Sequence, residues 1–181
     1  MFYEAVNTIL DEEGGFVNDP ADSGGATNRG IIQKTYDSFR TAKGLPTRSV
    51  RYSTRVEAIE IYEGIWRDCK ASELLNGPNL VHFDFAVNAG NQRAALTLQK
   101  AVDVTQDGII GPKTLAAANT LPPEVLVKTY SDLRRDFYNA LATKRPKDKK
   151  FLKGWLSRVD RVEKKALLLL KNNGPLPTKS A

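Results

Sequence analysis

Phe2, Val6, Ile9 and Leu10 recur at the spacing of one helix face. Continued by one step, that face reaches Glu13, seven residues after Val6 and four after Ile9, before Gly14-Gly15 end the helix. An acid thus stands where the pattern asks for a hydrophobe, while Glu12 points elsewhere. From Phe16 to Ile31 the helical period disappears into Gly, Asp, Asn and Pro, which predicts a turn-laden segment with a small hairpin. The period returns over Gln33–Lys43, with Tyr36 and Phe39 inward. Leu45–Ser53 is a loop. Thr54 and Glu57 have the spacing of a capping box, opening a helix whose inward face is Ala58, Ile61, Tyr62, Ile65, Trp66 and Cys69.

Gly77-Pro78 breaks the chain before an apolar helix through Leu80, Phe83 and Val87 that ends near Gly90. Further helices are predicted over Gln92–Val102, from Pro112 to Asn119, after Pro122-Pro123 through Val127, Tyr130, Leu133, Phe137 and Leu141, and over Phe151–Asn172. Asp107 to Gly111 is a tight loop. No βαβ alternation occurs, so the expected fold class is mainly α with a small β element. The best lobe boundary lies at residues 71–79, which gives segments 1–75 and 76–175 and a flexible tail, 176–181.

Composition adds limits. The chain has 181 residues, 41% of them hydrophobic, enough for one buried core or a core with a small appended lobe. The net charge of +6 is a modest excess of 27 Lys and Arg over 21 Asp and Glu. It suits polyanions without choosing among nucleic acid, anionic lipid and envelope polymers. One cysteine, Cys69, excludes an internal disulfide and fits a reducing compartment. With His82 as the one histidine, no His-rich zinc site is expected, nor any metal or cofactor. Glu4 and Asp11 with no long apolar run argue against a signal peptide. The longest apolar stretch, Ala166–Leu170, is too short to span a bilayer.

Glu13 is the first chemical candidate. Partial burial and the negative end of a helix dipole both disfavour a carboxylate there. A carboxylic acid kept protonated near neutral pH is what a general acid requires. The competing reading is a solvated Glu at a helix end. Asp22 and Thr27 follow in the glycine-rich segment, with Asp19 as a competitor of Asp22. Glycosidic cleavage needs two carboxyl groups, one to protonate the leaving oxygen and one to guide water or steady the oxocarbenium ion. A hydroxyl such as Thr27 could hold the water. The alternative is an ordinary Asp/Gly turn. Asp22 adjoins Gly24-Gly25, where the backbone can bend tightly. Asp19 precedes Pro20, which favours an extended backbone and a turn-bracing side chain.

The run EGGFVNDPADSGGATNRGI, Glu13 to Ile31, resembles the signature of glycoside hydrolase family 108, the phage endolysins and related bacterial muramidases. Its Glu, Asp and Thr also resemble the catalytic set of phage-type lysozymes, which have one more residue between Asp and Thr. Phe83 to Gly90, Leu98-Gln99 and Asp107 to Thr114 resemble the predicted peptidoglycan-binding region that follows in that family. The resemblance implies a lysozyme-like, two-lobed fold, with the catalytic lobe in 1–75 and the wall-binding region in 76–175. It implies Glu13 as general acid with Asp22 and Thr27 as partners. The implied activity is a muramidase cutting the β-1,4 bond between N-acetylmuramic acid and N-acetylglucosamine, which lyses bacteria.

Asp19, Asp84 and Asn88 are candidate substrate-binding residues. Asp84 and Asn88, four apart on one helix, could line the sugar groove or brace a helix pair. Lys144, Arg145, Lys147, Lys149 and Lys150 form a basic cluster, either a solvated helix junction or a patch for anionic envelope polymers. The expected partner is peptidoglycan, and a monomer is expected. Nucleic acid is disfavoured by the clustered acids at Glu13, Asp19 and Asp22. The expected route is synthesis in the host cytoplasm and passage to the wall through a separate membrane pore. The competing readings are a lytic transglycosylase using the same Glu13, and a noncatalytic wall-binding or virion-structural module.

Overall fold

A computed structural model of the chain describes residues 2–12, 16 and 26–172. Residue contacts divide the chain into two units, at Asp68 and Cys69.

The first unit begins with helix α1, Phe2–Glu12, which buries Ala5, Val6 and Ile9, as the spacing of its apolar residues requires. That face meets helix α3, Arg55–Asp68. The Phe2 ring stands edge-on to Trp66 at 5.7 Å, and Arg55 Nη2 donates to Asn7 Oδ1 at 2.8 Å. Between the two helices lie strands β1, Thr27–Asn28, and β2, Ile31–Ile32, and helix α2, Gln33–Ala42. The strands pair antiparallel, Thr27 opposite Ile32 and Asn28 opposite Ile31. Arg29 and Gly30 both take positive φ, 53° and 74°. Two successive left-handed residues make the two-residue turn whose twist suits a hairpin.

The second unit is helical. Helix α4, Pro78–Ala89, starts after Gly77, whose φ is 82°, and buries every residue from Pro78 to Ala86. A helix apolar nearly all round belongs at the centre of its unit. Around it pack α5, Asn91–Ala101, α7, Pro123–Lys144, and α8, Leu152–Asn172, while α6, Pro112–Thr120, sits against α5. Residues 69–75 go with this unit. The Cys69 carbonyl accepts from His82 Nε2 at 2.9 Å, and Ala71 and Leu74 are buried. Aromatic rings fill the space between helices: Phe85 touches Tyr130, Phe137 and Tyr138 edge-on, and Tyr138 stacks on Trp155 at 5.2 Å.

Among the described residues the fold is thus eight α-helices and one two-stranded sheet, the mainly α class that the periodicities predict. Three inward assignments shift. Phe39, Ile65 and Trp66 are only half-buried, and on α2 the charged Arg40 is buried beside Tyr36.

Candidate active site

Of the four residues proposed around the cleft, Thr27 lies within the described structure; Glu13, Asp19 and Asp22 lie outside it. Thr27 is half-buried on β1 and held from several sides. The Ala26 carbonyl before it accepts from the Gln33 amide at 2.9 Å. Asn28 after it is buried, its Nδ2 shared by the Val50 and Arg51 carbonyls and Ser53 Oγ, each at 3.1 Å. Tyr62 donates its hydroxyl to the Arg29 carbonyl at the turn. Phe16 lies under the Arg51 guanidinium, 4.9 Å from its ring centre, so the motif is anchored at this point also. One turn before Glu13, Ile9 is fully buried.

The support beneath the hairpin is polar. Gln33 Nε2 donates to Asp37 Oδ1 and to the Arg48 carbonyl, both at 2.8 Å, and Gln33 Oε1 accepts from the Val50 amide at 2.7 Å. Glu57 is the hub. It accepts from the Thr54 amide at 2.8 Å, from the Tyr36 hydroxyl at 3.0 Å, from Arg40 Nη1 at 2.8 Å and from Arg48 Nη2 at 3.0 Å. Its own amide donates to Thr54 Oγ1, which completes the capping box. Partial burial works to raise the Glu57 pKa. The hydrogen bonds from Thr54 and Tyr36 and the Arg48 charge overcome it and bring the group down to about 2. One carboxylate thereby ties α2, the loop after it and α3 together.

In the helical unit, Asp84 is fully buried. Its Oδ2 accepts from Arg134 Nη2 and its Oδ1 from Arg158 Nη2, each at 2.8 Å. Burial favours the neutral acid, but the charges of Arg158 and Arg134 hold Asp84 below the ordinary carboxylate range. This corrects the substrate-binding assignment of Asp84. Both oxygens are occupied inside the unit, and the residue braces α4 against α7 and α8. Asn88 is exposed, with Nδ2 on the Asp84 carbonyl at 2.6 Å. Lys144, Arg145, Lys147, Lys149 and Lys150 are all exposed at the junction of α7 and α8. Among the described residues, no three His, Cys, Asp or Glu side chains are grouped to hold a metal ion.

Comparison with known proteins then decides the family. The sequence profile described as Glycosyl hydrolase 108 matches residues 6–90, and the one described as Predicted Peptidoglycan domain matches residues 90–160. The solved structure of Brucella abortus SagA superposes with a TM-score of 0.83 at 35% sequence identity, over 95% of this chain and 97% of that one. The chain belongs to the glycosyl hydrolase 108 family. No curated protein sequence matches it.

Membership makes the chain a glycoside hydrolase that acts on peptidoglycan, with the helical lysozyme-like architecture of SagA. The Glycosyl hydrolase 108 match takes in Thr27, its hairpin and the Glu57 hub, and runs on through α4. Sequence reasoning read Thr54 and Glu57 as a helix cap and missed the hub. Tyr36 and Arg40, one turn apart on α2, were the available signal, because a cation on a buried helix face requires an anion to meet it.

Proposed function

We propose that this hydrolase is a muramidase cutting the β-1,4 bond between N-acetylmuramic acid and N-acetylglucosamine, with Glu13 as general acid. The observation that supports this most is the buried face of α1. Ala5, Val6 and Ile9 are buried, and the same helical face, continued by one turn, reaches position 13. In this reading Glu13 protonates the glycosidic oxygen as the bond to the muramic acid carbon breaks. Asp22 steadies the oxocarbenium ion or takes the proton of the entering water. Thr27, on a hairpin whose neighbouring residues Ala26, Asn28 and Arg29 are tied down, is proposed to orient that water through its hydroxyl. Asp19 is proposed to contact the sugar at this site, and Asn88, in the helical unit, is proposed as a separate sugar contact.

The same reading makes the protein a bacteriolytic endolysin of phage type, acting as a monomer and reaching the wall through a separate membrane pore. Its exposed basic cluster is proposed to draw it to anionic envelope polymers.

Mass analysis of the products from purified peptidoglycan tests the reaction. A reducing N-acetylmuramic acid end is expected. An anhydro end would make the enzyme a lytic transglycosylase, and intact glycan with cut peptides would refute glycosidic cleavage. Glu13→Gln should keep its fold and lose most of the lysis, because the amide has no proton to give. Glu12→Gln should remain active. Wild-type-like lysis by a folded Glu13→Gln protein would remove Glu13 from the mechanism.

A further inference from the structure

Between α5 and α6 the loop 102–111 forms an open groove of about 680 Å³, within the roughly 300–1,000 Å³ of small-molecule sites. Its floor is rigid. Gln99, buried beneath it, donates through Nε2 to Asp107 Oδ1 at 2.6 Å and to the Ile109 carbonyl at 3.0 Å. Gln99 Oε1 accepts from the Gly108 amide at 2.8 Å. The Gln99 and Ile109 hydrogen bonds keep Asp107 below the ordinary carboxylate range.

The walls are chemically mixed. Val104, Ile109 and Pro112 give an apolar strip on which Ile109 is 71% exposed. Asp103 and Asp107 give negative charge and Lys113 gives positive charge. Asp103 and Lys113 make no ion pair among the described residues. Asp103 also sits at φ 54°, in the left-handed region, where an L side chain is disfavoured. Among the described residues no aromatic ring lines the groove, and with it the flat face on which a sugar ring stacks is missing there. Small methyl groups, an ammonium and carboxylates are the complement of such walls. The peptide arm of peptidoglycan carries all three: alanine methyls, the free amine of a diamino acid, and carboxyl groups.

We propose that this groove binds the stem peptide of peptidoglycan, with the diamino-acid ammonium at Asp103 and Asp107 and a peptide carboxylate at Lys113. The proposal rests on peptidoglycan as the substrate and adds which part of that polymer the helical unit reads. The enzyme would then hold the wall by its peptides while another site cuts its glycan.

The test uses the full chain and a stem peptide free of sugar, so glycosidic cleavage does not enter the measurement. Calorimetric titration compares the peptide bearing a free diamino-acid amine with the same peptide N-acetylated at that amine. Peptide-free glycan strands serve as the third ligand. Saturable binding of the free peptide is expected, weakened about tenfold or more by acetylation. Asp103→Asn should remove that discrimination, since Asn tolerates the same backbone but has no charge. Ile109→Ser, at an exposed position, should weaken both peptides alike. It carries the test if Asp103→Asn melts early. Absence of saturable peptide binding, equal affinity for both peptides, an unaltered profile in a folded Asp103→Asn protein, or binding of the glycan in place of the peptide would each overturn the proposal. The products from intact peptidoglycan judge the muramidase reading separately.

Discussion

His82 is wholly enclosed, its Nε2 on the Cys69 carbonyl and its Nδ1 3.2 Å from the Tyr130 hydroxyl. Burial lowers its pKa from 6.5 to about 4, against the pull of the Cys69 carbonyl. The unfolded chain therefore takes up a proton between pH 6.5 and 4 that the folded chain refuses, and stability falls across that window as pH drops. The full loss is on the order of 3 kcal/mol. Thermal melts of wild type and His82→Gln should differ in slope over this window, the variant being the flatter; parallel profiles would refute the assignment. Asp84 makes a different demand. Asp84→Asn removes the anion that two guanidinium groups share, one of them fully buried, and breaking such a pair costs roughly 3–5 kcal/mol. A large drop in melting temperature is expected, and a shift of a degree or two would contradict the bracing role.

At the scale of elements, Glu57 links three pieces of chain, so its loss should loosen all three. Its folded pKa of about 2 lies below the ordinary glutamate value of 4.5. Its contribution is therefore present above pH 4.5 and disappears as pH falls toward 2. Glu57→Gln should lower the melting temperature at pH 7 and leave a shallower acid limb. An acid limb like that of wild type would place the stabilisation elsewhere. These elements also show what the sequence discloses. The helices were legible because single apolar faces, such as Ala5, Val6 and Ile9, repeat at the helix period, and because Pro78, Pro112 and Pro123 mark helix starts. The hairpin was legible as a turn-rich stretch. What stayed hidden were polar ties between distant residues: Glu57 with Arg40 and Arg48, and Asp84 with Arg134 and Arg158. Periodicity reports which face turns inward, and it is silent on which ions meet there. Asp84 was for that reason open to a sugar-binding reading until its burial was seen.

For the whole molecule, net charge matters through its distribution. Five of the 27 basic residues crowd into 144–150 and all five are exposed, while Asp148 among them is buried. Exposed charge acts over the Debye length, about 10 Å at 0.1 M salt and about 3 Å at 1 M. Co-sedimentation with purified walls that carry anionic polymer should weaken steeply as salt rises. Replacing Lys144, Lys147 and Lys149 together by Gln should flatten that dependence. Salt-independent sedimentation of wild type would remove the cluster from wall association.

The buried Asp84 bears on how this protein can be taken apart. The two family profiles meet at residue 90, directly after α4, yet α4 packs forward in the chain on α5, α7 and α8 and backward on residues 71–73, which belong to the same unit. A polypeptide stopped at residue 90 would end with Leu80, Phe83, Phe85 and an unpaired Asp84 stripped of their cover. The complementary piece would expose the hollow they filled, with Arg134 and Arg158 robbed of their counter-ion. Chimeras that exchange wall-recognition modules between relatives should accordingly be spliced at residues 68–69, with α4 travelling with the helices it packs against. The boundary between the two family profiles and the boundary between the two packed units fall at different places in the chain.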